Sequence, residues 1–235
     1  MKKIGVIGAM DVEVRTLHNA MTSVRVNARA GIEFCEGVLA GAEAVVARCG
    51  IGKVNAAVCA QILIDSFNVS AVINTGIAGA ISPKLRPLDI VLSADAVYHD
   101  FDVTDFGYPP LAIPGMNSVF KADERLILAA ENAASQLNPR PAIHKGRIAT
   151  GDIFVASGEA KARIQRLCAP LCVEMEGAAI AHVCAVNGVP FVIIRSISDM
   201  ADDTGGSDYV FNEQSAAETS ASLVIAMCAG VGGRE

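Results

Sequence analysis

Residues Leu171 to Ala181, LCVEMEGAAIA, decide how the chain is read. The apolar start, Leu171-Cys172-Val173, has the length and composition of a buried strand, and the small residues after Glu176 return, with His182, to a helical spacing. Between them stand two acids, Glu174 and Glu176, separated by Met175. An unpaired buried charge is costly, so acids this close to an apolar strand need a ligand, a partner or a proton. Alternate residues of an extended segment take opposite faces, so Met175 opposes both acids there and only one face carries carboxylates into a given cavity. A helix N-terminus favoured by negative charge is the competing reading.

Working outward, composition sets the limits. A chain of 235 residues that is 52% hydrophobic and holds 21 glycines suggests a well-buried α/β core with many tight turns, taken as one domain over residues 1–235. No apolar run approaches the length of a membrane span, and the run behind the basic Met1-Lys2-Lys3 is short and broken by glycine, Met10 and Asp11, so a soluble cytoplasmic protein is expected. The 7 cysteines, odd in number and irregular in spacing, argue against a disulfide framework, and Cys168 with Cys172 lacks a second pair for zinc. They read as small reduced core residues. A formal net charge of -6 without basic clusters leaves no footprint for nucleic acid, so a small ligand is expected.

Toward the N-terminus, Lys3 to Ile7 reads as a strand, Gly8-Ala9-Met10 as a turn, and a helix begins near Asp11. Such a turn brings backbone donors and a helix dipole to the carboxyl edge of a sheet. Asp11 and Glu13 in the first turn would repel a phosphate, although ordinary first-turn acid placement explains Asp11 well. IGVIGAM is not a dinucleotide fingerprint, because the third glycine is missing and Glu13 occupies the pyrophosphate position. Gly31 to Arg48 alternates as short strands with Gly37 and Gly41 as turns, a hairpin-rich and partly antiparallel region. Gly50-Ile51-Gly52-Lys53 opens a helix whose spacing is not that of a P-loop, which leaves Lys53 as a surface or interface residue. Ala71 to Asn74 is a buried strand, and Thr75-Gly76-Ile77-Ala78-Gly79 reads as a second glycine turn on the same pocket rim.

After a β-rich run from Asp89 to Tyr98, the stretch YHDFDVTDFGYPP has the length of a lid or interface loop, and His99 with its aspartates lacks metal-ligand spacing. Ala122 to Leu137 is an amphipathic helix and His144 to Thr150 a strand. Phe154 follows through Gly151-Asp152, a place where an aromatic ring walls a pocket and stacks on a flat heterocycle, a plain core phenylalanine being the alternative. PFVIIRSISD is a strand whose apolar run ends in Arg195, Ser196, Ser198 and Asp199, where α/β sheets place ligands; a structural Arg–Asp pair competes with that reading. DDTGGSDYVF reads as a polar loop and Glu213 to Cys228 as a closing helix.

The ordered set GAMDVEV, GIGKVNAA, NTGIAG, YHDFDVTDFGY, TGDIFV, VEMEG and RSISDMAD closely resembles the methylthioadenosine/S-adenosylhomocysteine nucleosidases of the purine nucleoside phosphorylase superfamily, over nearly the whole chain. The resemblance implies a three-layer α/β/α domain around a central mixed, twisted sheet. It implies hydrolysis of the bond between adenine and a 5'-thio-substituted ribose, with no cofactor and no metal. Glu13 takes the water-activating position and Asp199 the position that protonates the adenine imidazole ring. Met175 and Glu176 line and grip the ribose, Glu176 through the sugar hydroxyls, and Glu174 is counted among the substrate-binding residues. Phe154 stacks on the purine, Val155 bonds its edge through the backbone, Ser198 is counted among the substrate-binding residues, and Arg195 stands near the acid and the water. Phe106 reaches the neighbouring subunit's 5' pocket, which implies a homodimer. Relatives often carry serine or valine where this chain has Ile77 and commonly phenylalanine where it has Tyr209, both bearing on the substrate pocket, and Val12 interrupts the usual acidic run.

The chemistry fits that pattern. Adenine leaves poorly as an anion, so the ring must be protonated while the sugar becomes oxocarbenium-like, which calls for an acid beside the base and carboxylates near the sugar. A purine nucleoside phosphorylase and a non-catalytic nucleoside-binding protein of the same fold remain as alternatives. Phosphate-free adenine release separates them.

Overall fold

The computed structural model describes residues 3–202 and 205–232. Strands and helices alternate along them. The first half runs β1 (Ile4–Gly8), α1 (Asp11–Ala20), β2 (Met21–Arg29), β3 (Ile32–Leu39), β4 (Ala42–Arg48), α2 (Lys53–Phe67), β5 (Ala71–Ala80) and β6 (Ile90–Tyr98). The second runs β7 (Phe120–Lys121), α3 (Glu124–Ala134), β8 (Ile143–Thr150), α4 (Gly158–Cys168), β9 (Cys172–Glu174), α5 (Gly177–Asn187), β10 (Phe191–Asp199) and α6 (Gly205–Gly232). All strands join one mixed sheet in the order β10-β6-β8-β9-β5-β1-β4-β3-β2, with β7 beside β6 and a further pairing of β10 with β5. Helices α2 and α5 pack together, and α1 and α3 pack on α6, giving the helical layers of an α/β/α fold.

Strand β5 organises the sheet because it outlasts its neighbour. Its first residues, Ala71 to Asn74, pair in parallel with β1, while β10 follows the other edge from Val72 to Gly79. Beyond Asn74 the β1 edge of β5 is free until β9 joins antiparallel at Gly79 and Ala80. The gap in that ladder, Thr75 to Ala78, falls within Thr75 to Gly79, read from sequence as a glycine turn; the structure corrects that to strand, held by β10. Its glycines serve close approach. A Cβ on Gly76 would collide with the Arg195 guanidinium and the Glu13 carboxylate, and one on Gly79 would meet Asp199 Oδ1 at 2.9 Å.

Other differences have equally local causes. Gly37 lies inside β3 instead of at a turn, opposite the irregularity of β2 at Ser23, where an added Cβ would stand 2.6 Å from the Thr22 carbonyl oxygen. Strand β2 alternates apolar and polar residues from Val24 to Arg29, yet it is largely exposed on both faces, Val24 and Val26 included, so its pattern marks no buried face. The stretch read as a loop from Asp202 is helical from Gly205 on, with residues 203–204 outside the described residues. Asn212 Nδ2 donates to the Ser198 carbonyl at 2.9 Å, a tertiary contact, and the Tyr209 hydroxyl donates to Glu213 one turn later at 2.8 Å, a local one, so both kinds of contact support a segment with low intrinsic propensity.

Candidate active site

At the gap in the β5 ladder a cavity of about 490 Å³ opens. Glu13 enters it from the first turn of α1. Its Oε2 accepts hydrogen bonds from the amides of Ala9 (2.6 Å) and Met10 (3.0 Å), and its Oε1 accepts one from Ile77 at 3.0 Å. The helix start at the sheet edge thus presents a carboxylate instead of bare amides, and the carboxylate fills the backbone vacancy beside β5. Burial raises the Glu13 pKa above the usual carboxylate value despite Arg195 and the three amides, which favour the charged form.

Arg195 lies in mid-strand on β10 and is 1% exposed. Its Nη2 donates to Asn74 Oδ1 at 2.7 Å and is paired with Glu174, while Glu176 Oε2 lies at 3.5 Å and Glu13 Oε1 lies 3.8 Å from Nη1. Burial works against the guanidinium charge, but the three carboxylates outweigh it and raise its pKa. Of those acids Glu174 is the most fully engaged. Thr150 Oγ1 donates to its Oε1, and the amides of Glu176 (3.0 Å) and Gly177 (2.7 Å) donate to Oε2. Its oxygens therefore hold Arg195 and the α5 start while its stem walls the cavity.

Strand β9 ends at Glu174, so the alternation expected for VEMEG does not continue, and Met175 lines the cavity together with both acids instead of opposing them. Glu176 sits just before α5 and accepts the Gly52 amide at 2.8 Å on Oε1. Burial, opposed by Arg195 but reinforced by Glu174 and Glu13, pushes its pKa up to about 7. Asp199 ends β10 and is 2% exposed. The Ser198 hydroxyl donates to its Oδ2 and the Ala201 amide to its Oδ1, each at 2.8 Å.

The rest of the lining is apolar. Phe154 and Tyr209 meet edge to face with centroids 5.6 Å apart, and Ile77 packs beneath with Tyr209 and Met10. Val155 is buried and lines a small adjoining recess with Phe154 and Asp199. Among the sequence candidates Glu13, Ile77, Phe154, Glu174, Met175, Glu176, Arg195, Ser198, Asp199 and Tyr209 therefore share one cavity. Phe106 does not: it lies on a 3-10 turn, 82% exposed. Sequence reasoning passed over Ile51, which lines the cavity from the α2 start, and Thr150, whose hydroxyl also accepts the Ala178 amide at 2.8 Å. Lys53, read as a surface or interface residue, is half-buried and paired with Asp100. Among the described residues no group of three or more His, Cys, Asp or Glu is arranged to hold a metal ion, and no helix is long and apolar enough to cross a membrane.

The sequence profile of the Phosphorylase superfamily matches residues 3–229. A 5'-methylthioadenosine/S-adenosylhomocysteine nucleosidase of Geobacillus kaustophilus is 44% identical over 96% of this chain and 96% of its own length. The enzyme of the same name from Actinobacillus succinogenes is 41% identical over 97% and 98%. The crystal structure of the Neisseria meningitidis nucleosidase in complex with methylthio-immucillin-A superposes with a TM-score of 0.94 at 39% identity, covering 98% of this chain and all of that one. Futalosine hydrolase of Helicobacter pylori superposes at 0.91 with 32% identity, covering 96% and 97%. With a fold, a cavity and full-length relatives all in agreement, the chain belongs to the phosphorylase superfamily and, within it, to the 5'-methylthioadenosine/S-adenosylhomocysteine nucleosidase family.

Proposed function

We propose that this chain hydrolyses the N-glycosidic bond of 5'-methylthioadenosine and S-adenosylhomocysteine, releasing adenine and the 5'-thio-substituted ribose. The observation that carries the reading is the meeting of Glu13, Glu176 and Asp199, remote in sequence, on one cavity that Glu174, Arg195 and Ser198 share with aromatic and aliphatic side chains. In this mechanism Phe154 stacks on adenine and the Val155 backbone bonds its edge. Asp199, oriented by Ser198 and Ala201, gives its proton to the imidazole ring so that adenine leaves neutral. Glu176 holds the ribose hydroxyls, and its charge offsets the oxocarbenium character of the sugar. Glu13 takes a proton from water, which attacks the anomeric carbon from the face opposite the leaving base, as in an inverting glycosidase. Arg195 keeps the acids apart and oriented.

A phosphorylase would need a phosphate cradle. Arg195 is the sole cationic side chain lining the cavity among the described residues, and it is committed to carboxylates that would repel phosphate. Likeness to futalosine hydrolase supports acceptance of a larger 5' group, so aminofutalosine joins the substrates to be compared, as does 5'-deoxyadenosine, whose 5' group is smaller.

The reading includes a cytoplasmic homodimer. Phe106, Val54 and Ile51 are exposed at 82%, 74% and 54%, apolar surface that a second copy would cover while Phe106 closes the 5' end of its partner's cavity. All 7 cysteines are free thiols, which suits a reducing compartment. The single continuous sheet supports one nucleosidase domain over residues 1–235. Adenine released from methylthioadenosine in phosphate-free buffer supports the reading. No release without phosphate, with release restored by phosphate, supports the phosphorylase instead.

A further inference from the structure

The GIGKVNAA stretch contributes one amide, that of Gly52, to the cavity carboxylate Glu176, and the next residue ties that amide to two distant loops. Lys53 Nζ lies 2.6 Å from Asp100 Oδ2 just beyond β6 and 3.6 Å from Asp152 Oδ2 just beyond β8, and 5.5 Å from the centre of the Tyr98 ring. The Lys53 amide donates to Asp152 Oδ1 at 2.8 Å, and the Asp152 amide donates to Asp100 Oδ2 at 2.9 Å. Gly52, whose φ of 99° favours glycine, donates its amide to Glu176 Oε1 at 2.8 Å. We infer that Lys53 is a positioning residue for the ribose end of the cavity: by bridging Asp100 and Asp152 it fixes the start of α2 so that the Gly52 amide stays aimed at Glu176.

The arrangement does more than an ordinary surface pair, which contributes little to stability. Lysine and Asp100 are both largely shielded, with side chains 24% and 13% exposed, and the bridge joins three separate chain segments. Without the ammonium, two carboxylates linked by a single amide repel, and α2 loses the acceptor of its first amide. Asp152 also precedes Phe154 by two residues, so the same bridge steadies the loop that carries the aromatic wall.

The consequence for Glu176 has a definite sign. Arg195 from β10, Glu174 from β9, Glu13 from α1, the Cys49 thiol and the Gly52 amide are the groups that act on its charge. The amide favours the ionised form, so its displacement raises the Glu176 pKa further.

The inference rests on the ribose-binding role proposed for Glu176, and the test separates the two. In full-length Lys53→Met, hydrogen exchange at the Gly52 amide speeds up by roughly tenfold, the acid limb of kcat/KM moves to higher pH, and KM rises by roughly tenfold with a smaller change in kcat. Lys53→Arg restores most of each. Arg147→Met, which breaks a comparable pair with Asp95 (2.7 Å) away from the cavity, lowers Tm and moves none of these readouts. Wild-type Gly52 exchange and an unmoved acid limb in Lys53→Met overturn the inference, as does an equal effect in Arg147→Met. If the wild-type protein releases no adenine, the functional reading falls, while Gly52 exchange still decides whether Lys53 positions the amide.

Discussion

Glu13 Oε1 accepts a 3.0 Å hydrogen bond from the backbone amide of Ile77, 64 residues further along the chain. The contact exists because β1 stops pairing at Asn74 while β5 continues, leaving an amide on a bare strand edge beside the first turn of α1. A buried amide without an acceptor costs about 1–3 kcal/mol. The sheet therefore demands an acceptor at this point, and the chain supplies one that also faces the cavity.

Glu13→Gln tests the base. The variant keeps the shape but removes the charge, and its amide nitrogen must face a backbone donor, so Tm falls by a few degrees while the fold survives. Turnover of methylthioadenosine drops by roughly 10²–10⁴-fold, the range of general base catalysis. Steady-state adenine release within tenfold of the wild-type rate sinks the assignment.

Asp199→Asn tests the acid with a built-in control. Activity on methylthioadenosine is lost because adenine can no longer leave neutral, whereas a riboside with a leaving group that needs no proton, such as 4-nitrophenol, keeps most of its rate. Equal losses on both substrates would mean that Asp199 acts on binding or structure and not on the departing ring.

Glu176 links the site to stability. Its pKa in the fold is about 7 against the ordinary 4.5, burial being the largest cause. An acid whose folded value is raised holds its proton more tightly when folded, so its contribution is complete below about 4.5 and is lost as pH rises through about 7. Glu176→Gln is neutral throughout. The Tm difference between variant and wild type therefore shifts in the variant's favour from pH 5 to pH 8, at roughly 2–4 °C per kcal/mol. A difference that stays flat, or moves the other way, contradicts the raised value.

Mixed dimers test the shared site. Phe106→Ala and Asp199→Asn homodimers are each impaired, one lacking the lid and the other the acid. In a hybrid, the Asp199→Asn protomer lends its Phe106 to the site that still has Asp199, so mixing restores up to about half of the wild-type activity per hybrid dimer. No gain over the separate variants, at concentrations where subunits exchange, rules out a lid in trans.

Much of this was legible in the chain. Apolar runs ending in charge at Glu174 and at Arg195 to Asp199 point to strands that deliver side chains to a common edge, and both do. The stretch Thr75 to Gly79 was not legible as strand, because glycine marks a turn and a close side-chain approach alike, and only the positions of Glu13 and Arg195 tell them apart. Strand β2 went unread although Val24 to Arg29 alternates, the apolar members being small in number and solvent-facing in the fold, and helix α4 carried no motif. The engagement of Glu174 by Thr150 and Arg195 depends on three strands meeting, which local pattern does not encode. Phe106 stands out in the sequence only through family likeness, since within one chain it faces solvent.

The central claim is that water, activated at Glu13, is the nucleophile. Turnover of methylthioadenosine in ¹⁸O-labelled water with phosphate present is the direct measurement. The account predicts adenine together with a methylthioribose that carries one labelled oxygen at the anomeric carbon. Methylthioribose 1-phosphate without label would contradict it.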